Sequence, residues 1–595
     1  MAGSTAPEFH LRPVHPDVVD KIVKSLKNSK ATGLDYIDTN TIKLVRSELV
    51  PALTHIVNTS IQTAVFPKCY KTSKIIPLLK CSNSDIMNPK SYRPVALLPV
   101  TSKILERVVF MQVAEHMNSH GLLHPNHHGF RAHHSVTTAL LQMYDTWMDA
   151  IDKGEMVGLG LIDMSAAFDC VDADLLLART KLYKFSRHTQ QFVWSFMEGR
   201  LQVTEVEGST SSTLRVGGGS GGSGVGVAQG SICGPLWYLI YTNMLPEVVH
   251  GQNCTDQEPR AVTGGDGGDG GDGQAQMAYR PGGDVGDGGD EQAQMAYRTG
   301  DSECGALVCF ADDSSESVSD RDLDELKISM EMQYAASASF LTSSMLQVNG
   351  DKTHAMLLTT AQNRRLNNLD LIVNFGNEQQ RSSKVERLLG LQVHENMKFR
   401  EYIQDNEKSL IKGLNTRLNA LKQIKKYASF KQRLAIANGI FFSKVIFLIS
   451  VWGGAENYLM ESIQIVVNKA MRVVCKVGKS VRLKDLQRMC NWMTVTQAAK
   501  YHSLMDARRI LNTKQPTYLY SKLVTALQER QHGHHTRHGA REIEPRLALI
   551  RSSWLYRVVA DMRRMPQELL DMPVGGSRDK AYRARLRAWV TSDTQ

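Results

Sequence analysis

Ala306-Leu307-Val308-Cys309-Phe310-Ala311-Asp312-Asp313-Ser314-Ser315 is the stretch that decides how this chain reads. Five apolar residues of types that suit a strand run straight into two adjacent carboxylates, and small polar residues follow. A run of this length reads as a buried strand, and the break at Asp312-Asp313 as the tip of a short hairpin. Adjacent carboxylates at the end of a buried strand repel one another and lose hydration. Either the turn is fully exposed or a cation compensates it. A second stretch narrows that choice. Val157-Gly158-Leu159-Gly160-Leu161-Ile162-Asp163 is another apolar run ending in an aspartate, followed by Met164-Ser165-Ala166-Ala167-Phe168-Asp169. Two buried strands that each deliver a carboxylate can hold two hard divalent cations, which activate an attacking oxygen and stabilise a leaving phosphate.

Phe-Ala-Asp-Asp at 310–313 resembles polymerase motif C of reverse transcriptases, and Leu-Ile-Asp-Met-Ser-Ala-Ala-Phe-Asp at 161–169 resembles their motif A. The style is that of non-LTR retrotransposon (LINE) enzymes of the jockey-like group. The resemblance implies an α+β right-hand polymerase with an antiparallel-sheet palm, fingers and a helical thumb. It implies Asp163, Asp312 and Asp313 as ligands of two Mg²⁺ ions, with Mn²⁺ as the alternative. It also implies an RNA template, a DNA primer or target and dNTPs as partners, and an intracellular ribonucleoprotein of nucleus and cytoplasm.

Further motifs extend the resemblance over roughly residues 33–474. Ser73-Lys74-Ile75-Ile76-Pro77-Leu78-Leu79-Lys80 reads as a strand ending in lysine, and Tyr92-Arg93-Pro94-Val95-Ala96-Leu97-Leu98-Pro99 follows it. In the family the matching Lys80 and Arg93 contact the incoming triphosphate, lysine as a point charge and arginine as a planar fork. His128-Gly129-Phe130-Arg131 is similar to the next fingers motif, which lies near template; Phe130 either stacks on a base or packs beside a glycine turn. Phe168, five residues after Asp163, corresponds to the residue that excludes a 2′-hydroxyl, with simple core packing as the competing reading, whereas Asp169 is expected to stabilise a turn.

Gly226-Val227-Ala228-Gln229-Gly230-Ser231-Ile232-Cys233-Gly234-Pro235 is similar to motif B, with Ala228 in place of its proline. There Gly230 lets backbone approach substrate, and Gln229 offers an amide toward sugar or template. Lys352, in Val348-Asn349-Gly350-Asp351-Lys352-Thr353, matches the motif D lysine proposed to protonate departing pyrophosphate; a solvated turn lysine is the competing reading. Val385 to Val393, with Leu389 and Gly390 at its centre, resembles the hairpin that grips the primer terminus. The basic helical stretch from Glu401, with Lys408, Lys412, Arg417, Lys422, Lys425 and Lys426, suits a thumb laid along a duplex.

Charge and composition fit such a partner. The 595 residues carry a net charge of +10, although residues 255–303 contain eleven Asp/Glu against three Lys/Arg. A polyanion-binding protein with a separate acidic insertion is the natural reading. The insertion contains a Gly-Asp run at 264–290 and a duplicated Gln-Ala-Gln-Met-Ala-Tyr-Arg at 274–280 and 292–298; a disordered loop is expected there, about 250–303. A Gly/Ser run occupies 217–224. The nine cysteines show neither Cys-x-x-Cys nor knuckle spacing, so a reducing compartment is expected and a zinc module is not. The N-terminus lacks the apolar core of a signal peptide, and Leu434–Val451, interrupted by Asn438, Ser443 and Lys444, reads as buried helix rather than a membrane span.

The expected division is an N-terminal helical extension (1–60), fingers and palm (61–394), thumb and post-thumb helices (395–500), and a basic, weakly patterned region (501–595). That last region holds His532, His534, His535 and His538. The alternative from another class is a degenerate or repurposed copy that binds RNA without polymerising, suggested by Ala228, the inserted repeats and the want of an endonuclease segment.

Overall fold

The computed structural model describes residues 6–80, 84–216, 226–253, 306–367, 369–376, 378–528, 548–573, 575 and 577–592. The Gly/Ser run, the acidic insertion with its repeats, and the histidine cluster at 532–538 lie outside them. The chain is a mixture of helix and sheet, as expected.

Nine strands position the site: β1 (Thr72–Leu79), β2 (Tyr92–Leu97), β3 (Met156–Ile162), β4 (Leu201–Val206), β5 (Ala306–Phe310), β6 (Asp313–Asp320), β7 (His354–Leu358), β8 (Val385–Leu388) and β9 (Leu391–His394). The central sheet has the order β7-β3-β6-β5, and every neighbouring pair in it is antiparallel. A second sheet carries β2-β1-β4, with β1 antiparallel to β2 and parallel to β4. The β8–β9 hairpin stands apart as its own pair.

Both faces of the central sheet are covered, which is why β3 and β5 read as continuous apolar runs rather than alternating ones. Val157, Leu159, Val308 and Met356 face one core, built with helix α2 (Val136–Asp152) and the helices after residue 400. Met156, Ile162, Leu307 and Leu357 face the other, built with α1 (Val100–Ser119), α3 (Gly234–Thr242) and α4 (Leu323–Ser343). The glycine of β3 at 158 has a packing reason: a Cβ there would sit 2.2 Å from Met330 Sδ of α4.

β6 is the least expected element. Asp-Ser-Ser-Glu-Ser-Val-Ser-Asp holds one apolar residue, yet it lies between β3 and β5 with Ser314 to Val318 buried. Glu316 is 3% exposed and accepts a hydrogen bond from the Ser337 hydroxyl of α4. Burial pushes its carboxyl up to about 7, the serine working slightly against this. A carboxyl raised in the folded state is neutral below that value, so stability falls as pH rises from the unfolded value near 4.5 through about 7. Glu316→Gln should therefore stabilise the protein by about 1–3 kcal/mol at pH 8 and by almost nothing near pH 4.5. Thermal midpoints at the two pH values check this; an equal shift at both would refute it.

The region after residue 400 is helical throughout its described parts. In the helix Leu410–Ile424, Leu410, Leu414, Leu418 and Leu421 are buried while Lys412 and Lys422 face solvent. The segment Leu434–Val451 is broken into short helices around a π turn at Asn438–Phe442, and no described helix is long and apolar enough to cross a membrane. The weakly patterned end of the chain contributes Val495–Thr513, Thr517–Gln528, Trp554–Arg564 and Ser577–Ser592, which share the core of α2. Tyr518 donates its hydroxyl hydrogen to Asp145 (3.0 Å), and Lys522 pairs with Asp149, so this end is fastened to α2 by polar as well as apolar contacts.

Candidate active site

The strand register brings the acidic residues together. Ile162 of β3 lies opposite Ser314 of β6, so Asp163 comes one step further, level with Asp313. Ala311-Asp312 forms the two-residue turn between Phe310 and Asp313, which pair across the hairpin. Strand spacing and chain geometry put the three Cα atoms within about 10 Å. Asp163 and Asp313 line a cleft of about 280 Å³ with Lys352, Glu386 and Arg387. Asp312 and Asp313 line a neighbouring cleft of about 410 Å³ with Phe310, Arg387, Leu389 and Gly390. The Asp313 carboxyl is pushed up to about 6, by desolvation first and then by the negative charges of Asp312 and Asp163, with Lys352 opposing. Lys352 Nζ lies 2.9 Å from Asp163 Oδ2, and no three acidic, His or Cys side chains among the described residues form a ready-made ligand set. The repulsion at Asp313 and the all-oxygen donor set nevertheless fit a hard divalent cation.

The turn of the β8–β9 hairpin lines the same clefts as these carboxylates. Leu389 (φ +49°) and Gly390 (φ +89°) are both left-handed, the arrangement that lets a two-residue turn follow the twist of its strands. A Cβ on Gly390 would touch the Phe447 ring at 3.4 Å.

Phe168 is held rather than loosely packed. Its ring stacks on Tyr238 of α3 (centroids 4.9 Å, 19°) and meets the Phe130 ring edge-on (6.0 Å, 86°). Phe130, 40% exposed, thus borders this ring while part of its own ring faces solvent. The Phe168 carbonyl accepts the Val227 N–H (2.8 Å), so the loop at 226–230 is laced to the strand end that carries Asp163. The loop is also laced to β2: Ala96 N–H donates to the Gln229 carbonyl (2.9 Å), and a Cβ on Gly230 would fall 2.2 Å from Ala96 O. Only glycine fits there.

Several of the candidate side chains have partners within the chain. Burial raises the Asp169 carboxyl and the nearby Gln229 side chain works against this, so the Gln229 amide lies beside Asp169. Arg131 donates through Nη1 to the carbonyls of His124 (2.7 Å) and His127 (3.0 Å), bracing its own turn from within. Lys80 donates to the Lys90 carbonyl (2.8 Å), while Arg93, opposite Leu78 on the adjacent strand, is exposed. Arg93 sits on β2, and Lys80 directly follows the last residue of the adjacent β1.

Sequence reasoning passed over Glu106. It is 1% exposed on α1 and accepts the N–H groups of Ile232 (2.6 Å) and Cys233 (3.1 Å) and the Ser102 hydroxyl (2.9 Å). Those two amides lie just before α3, so a buried carboxyl group anchors the connection that leads from the 226–230 loop into the helix. The signal was available: Glu106 interrupts the apolar face made by Ile104, Leu105, Val108 and Val109.

A family profile described as reverse transcriptase (RNA-dependent DNA polymerase) matches residues 80–393, more than half of the chain. The chain belongs to the reverse transcriptase family. Among its relatives, the RNA-directed DNA polymerase from mobile element jockey of Drosophila funebris is 32% identical over 234 residues, 39% of this chain and 25% of the relative. The probable RNA-directed DNA polymerases from transposon BS and transposon X-element of Drosophila melanogaster are 29% and 27% identical over 238 and 240 residues, each 40% of this chain and 25% of the relative. The kinship is thus with the non-LTR branch of the reverse transcriptases, and the aligned part spans about a quarter of each relative's length.

Proposed function

We propose that this reverse transcriptase-family chain is an active RNA-directed DNA polymerase of a non-LTR mobile element, extending a primer 3′-hydroxyl with dNTPs. The observation that carries the reading is the register that sets Asp163 level with Asp313, with Asp312 at the turn between. Asp163, Asp312 and Asp313 are the residues that would hold Mg²⁺, or Mn²⁺ in its place. Two such ions supply activation of the attacking hydroxyl and charge stabilisation on the leaving pyrophosphate.

The chain's own groups do the rest. The central sheet is the palm, β1 and β2 belong to the fingers, and the helix Leu410–Ile424 begins the thumb. Lys80 and Arg93 meet the triphosphate, which requires Lys80 to leave the Lys90 carbonyl. Phe168 closes the space a 2′-hydroxyl would need. Leu389 and Gly390 steady the primer end beside Asp312, and Lys352, 2.9 Å from Asp163, gives its proton to the departing pyrophosphate. The partners are an RNA template, a DNA primer or target and dNTPs, and the setting is a ribonucleoprotein of nucleus and cytoplasm.

Primer extension on an RNA template with dNTPs and Mg²⁺ tests the reading. Template-dependent extension by the wild-type chain, lost in Asp312→Ala, supports it. Binding of RNA without extension by either protein favours the non-polymerising remnant.

Metal dependence gives a second check. Protons and cation compete for the Asp313 carboxylate, which is held near pH 6. Below that value the protonated form gains tenfold per pH unit, so half-saturating Mg²⁺ should rise about tenfold between pH 7.5 and 5. A half-saturation point that does not move would contradict this placement of the ion.

A further inference from the structure

The hairpin that carries Asp312 does not stand by itself. Segment 126–128 runs beside β5 as a short parallel addition, with Cys309 N–H donating to Asn126 O (3.0 Å) and His128 N–H donating to Cys309 O (2.8 Å). One residue further on, Gly129 lies directly under the turn, where a Cβ would come within 2.4 Å of Ala311 N. Ala311 has φ +60°, a backbone state that alanine adopts only at a cost. Such a conformation persists where the surroundings over-determine it. The backbone of 126–129 is that surrounding.

What holds the segment is a buried polar ring. Gln142 of α2 donates through Nε2 to Asn126 Oδ1 (2.8 Å), which turns its own oxygen toward His128 Nε2 at 2.9 Å. His128 therefore carries its proton on Nε2, and its Nδ1 lies 3.1 Å from the Thr138 hydroxyl. The imidazole is 1% exposed, and burial keeps it neutral, with His134 adding to the effect. α2 is in turn fixed between the central sheet and the C-terminal helices.

We propose that His128, acting with Gln142, is a positioning residue that clamps segment 126–131 to α2 and so holds the Ala311-Asp312 turn in its strained, metal-presenting shape. The proposal rests on the polymerase reading for what the turn does, and on the hydrogen-bond geometry for the clamp itself.

The test uses the full chain with His128→Ala, Gln142→Met, the double variant and the conservative His128→Gln. Gln142→Met keeps volume while removing both hydrogen bonds, and stands in should His128→Ala fold poorly. Amide hydrogen exchange of residues 126–131 and 306–316 should quicken about tenfold in either single variant, with the remaining protein unchanged. Single-turnover extension should slow about tenfold while the primer–template Kd moves less than about twofold, since misplacing a catalytic group costs rate rather than binding. The double variant should be no more than about twofold slower than either single one, because both break one link. His128→Gln should recover most of the rate. Exchange that rises uniformly over the protein, an unaltered hairpin, or effects that multiply would overturn the clamp. Local quickening of the hairpin in a chain whose wild type extends no primer would uphold the clamp and refute the polymerase reading.

Discussion

Asp312→Ala should slow RNA-templated primer extension by at least about 10³-fold, close to 4 kcal/mol of transition-state stabilisation, while leaving primer–template affinity within about threefold. The asymmetry follows from where the residue sits. Asp312 lies at an exposed turn between β5 and β6, so its side chain supports no core and its removal leaves no cavity. What it supplies is charge at the place where two other carboxylates meet. A polymerase site makes little covalent chemistry of its own, so charge and positioning carry most of the acceleration. Loss of Asp312 also removes one of the negative neighbours that hold the Asp313 carboxyl near 6. The variant should therefore lose rate and shift the acid limb of its metal dependence downward together. Retention of more than a tenth of the wild-type rate would show that Asp312 holds no metal during the reaction.

Phe168→Ala should raise incorporation of ribonucleotides relative to deoxyribonucleotides by about 10²-fold, with a smaller loss in deoxynucleotide turnover. The ring is clamped between Tyr238 and Phe130 and cannot swing aside to admit a larger sugar. It is also anchored through its backbone to Val227 of the 226–230 loop, which fixes the ring relative to that loop. Truncation removes the wall and leaves the anchor. Phe168 is half-buried, so some stability is lost as well; Phe168→Val, which keeps part of the packing, should show an intermediate sugar ratio at nearly unchanged thermal midpoint. An unaltered ratio in both variants would make Phe168 a packing residue and nothing more.

The candidate site was legible in the sequence to the extent that its chemistry is local. Asp163, Asp312 and Asp313 each end an apolar run, and a buried strand delivers its last residue to a predictable edge. The left-handed turn at Leu389-Gly390 and the close approach at Gly230 follow from glycine in a tight connection. Other roles depend on which partner lies opposite, and spacing carries no such information. Gln229 is a polar residue in a glycine-rich loop by sequence; it comes beside Asp169 only because two loops distant in the chain meet. Arg131 looks like a cation facing a polyanion, yet its own turn curls back to present two carbonyls to it. Glu106 is visible as a carboxylate on an apolar helix face, but its purpose exists only once the amides of Ile232 and Cys233 arrive beneath it.

The sequence by itself determined the order of the motifs, the family they point to, and the residue types able to hold a cation or exclude a hydroxyl. These are properties of short runs, where periodicity and side-chain chemistry act between neighbours along the chain. Tertiary structure alone decided that the serine-rich Asp313–Asp320 is an inner strand of the central sheet, paired on both edges and covering a buried Glu316. It alone decided that the weakly patterned end of the chain closes over α2. The physical reason is the same in both cases. A polar strand is stable only when β3 and β5 saturate its backbone groups, and a short amphipathic helix only when a remote apolar face receives it.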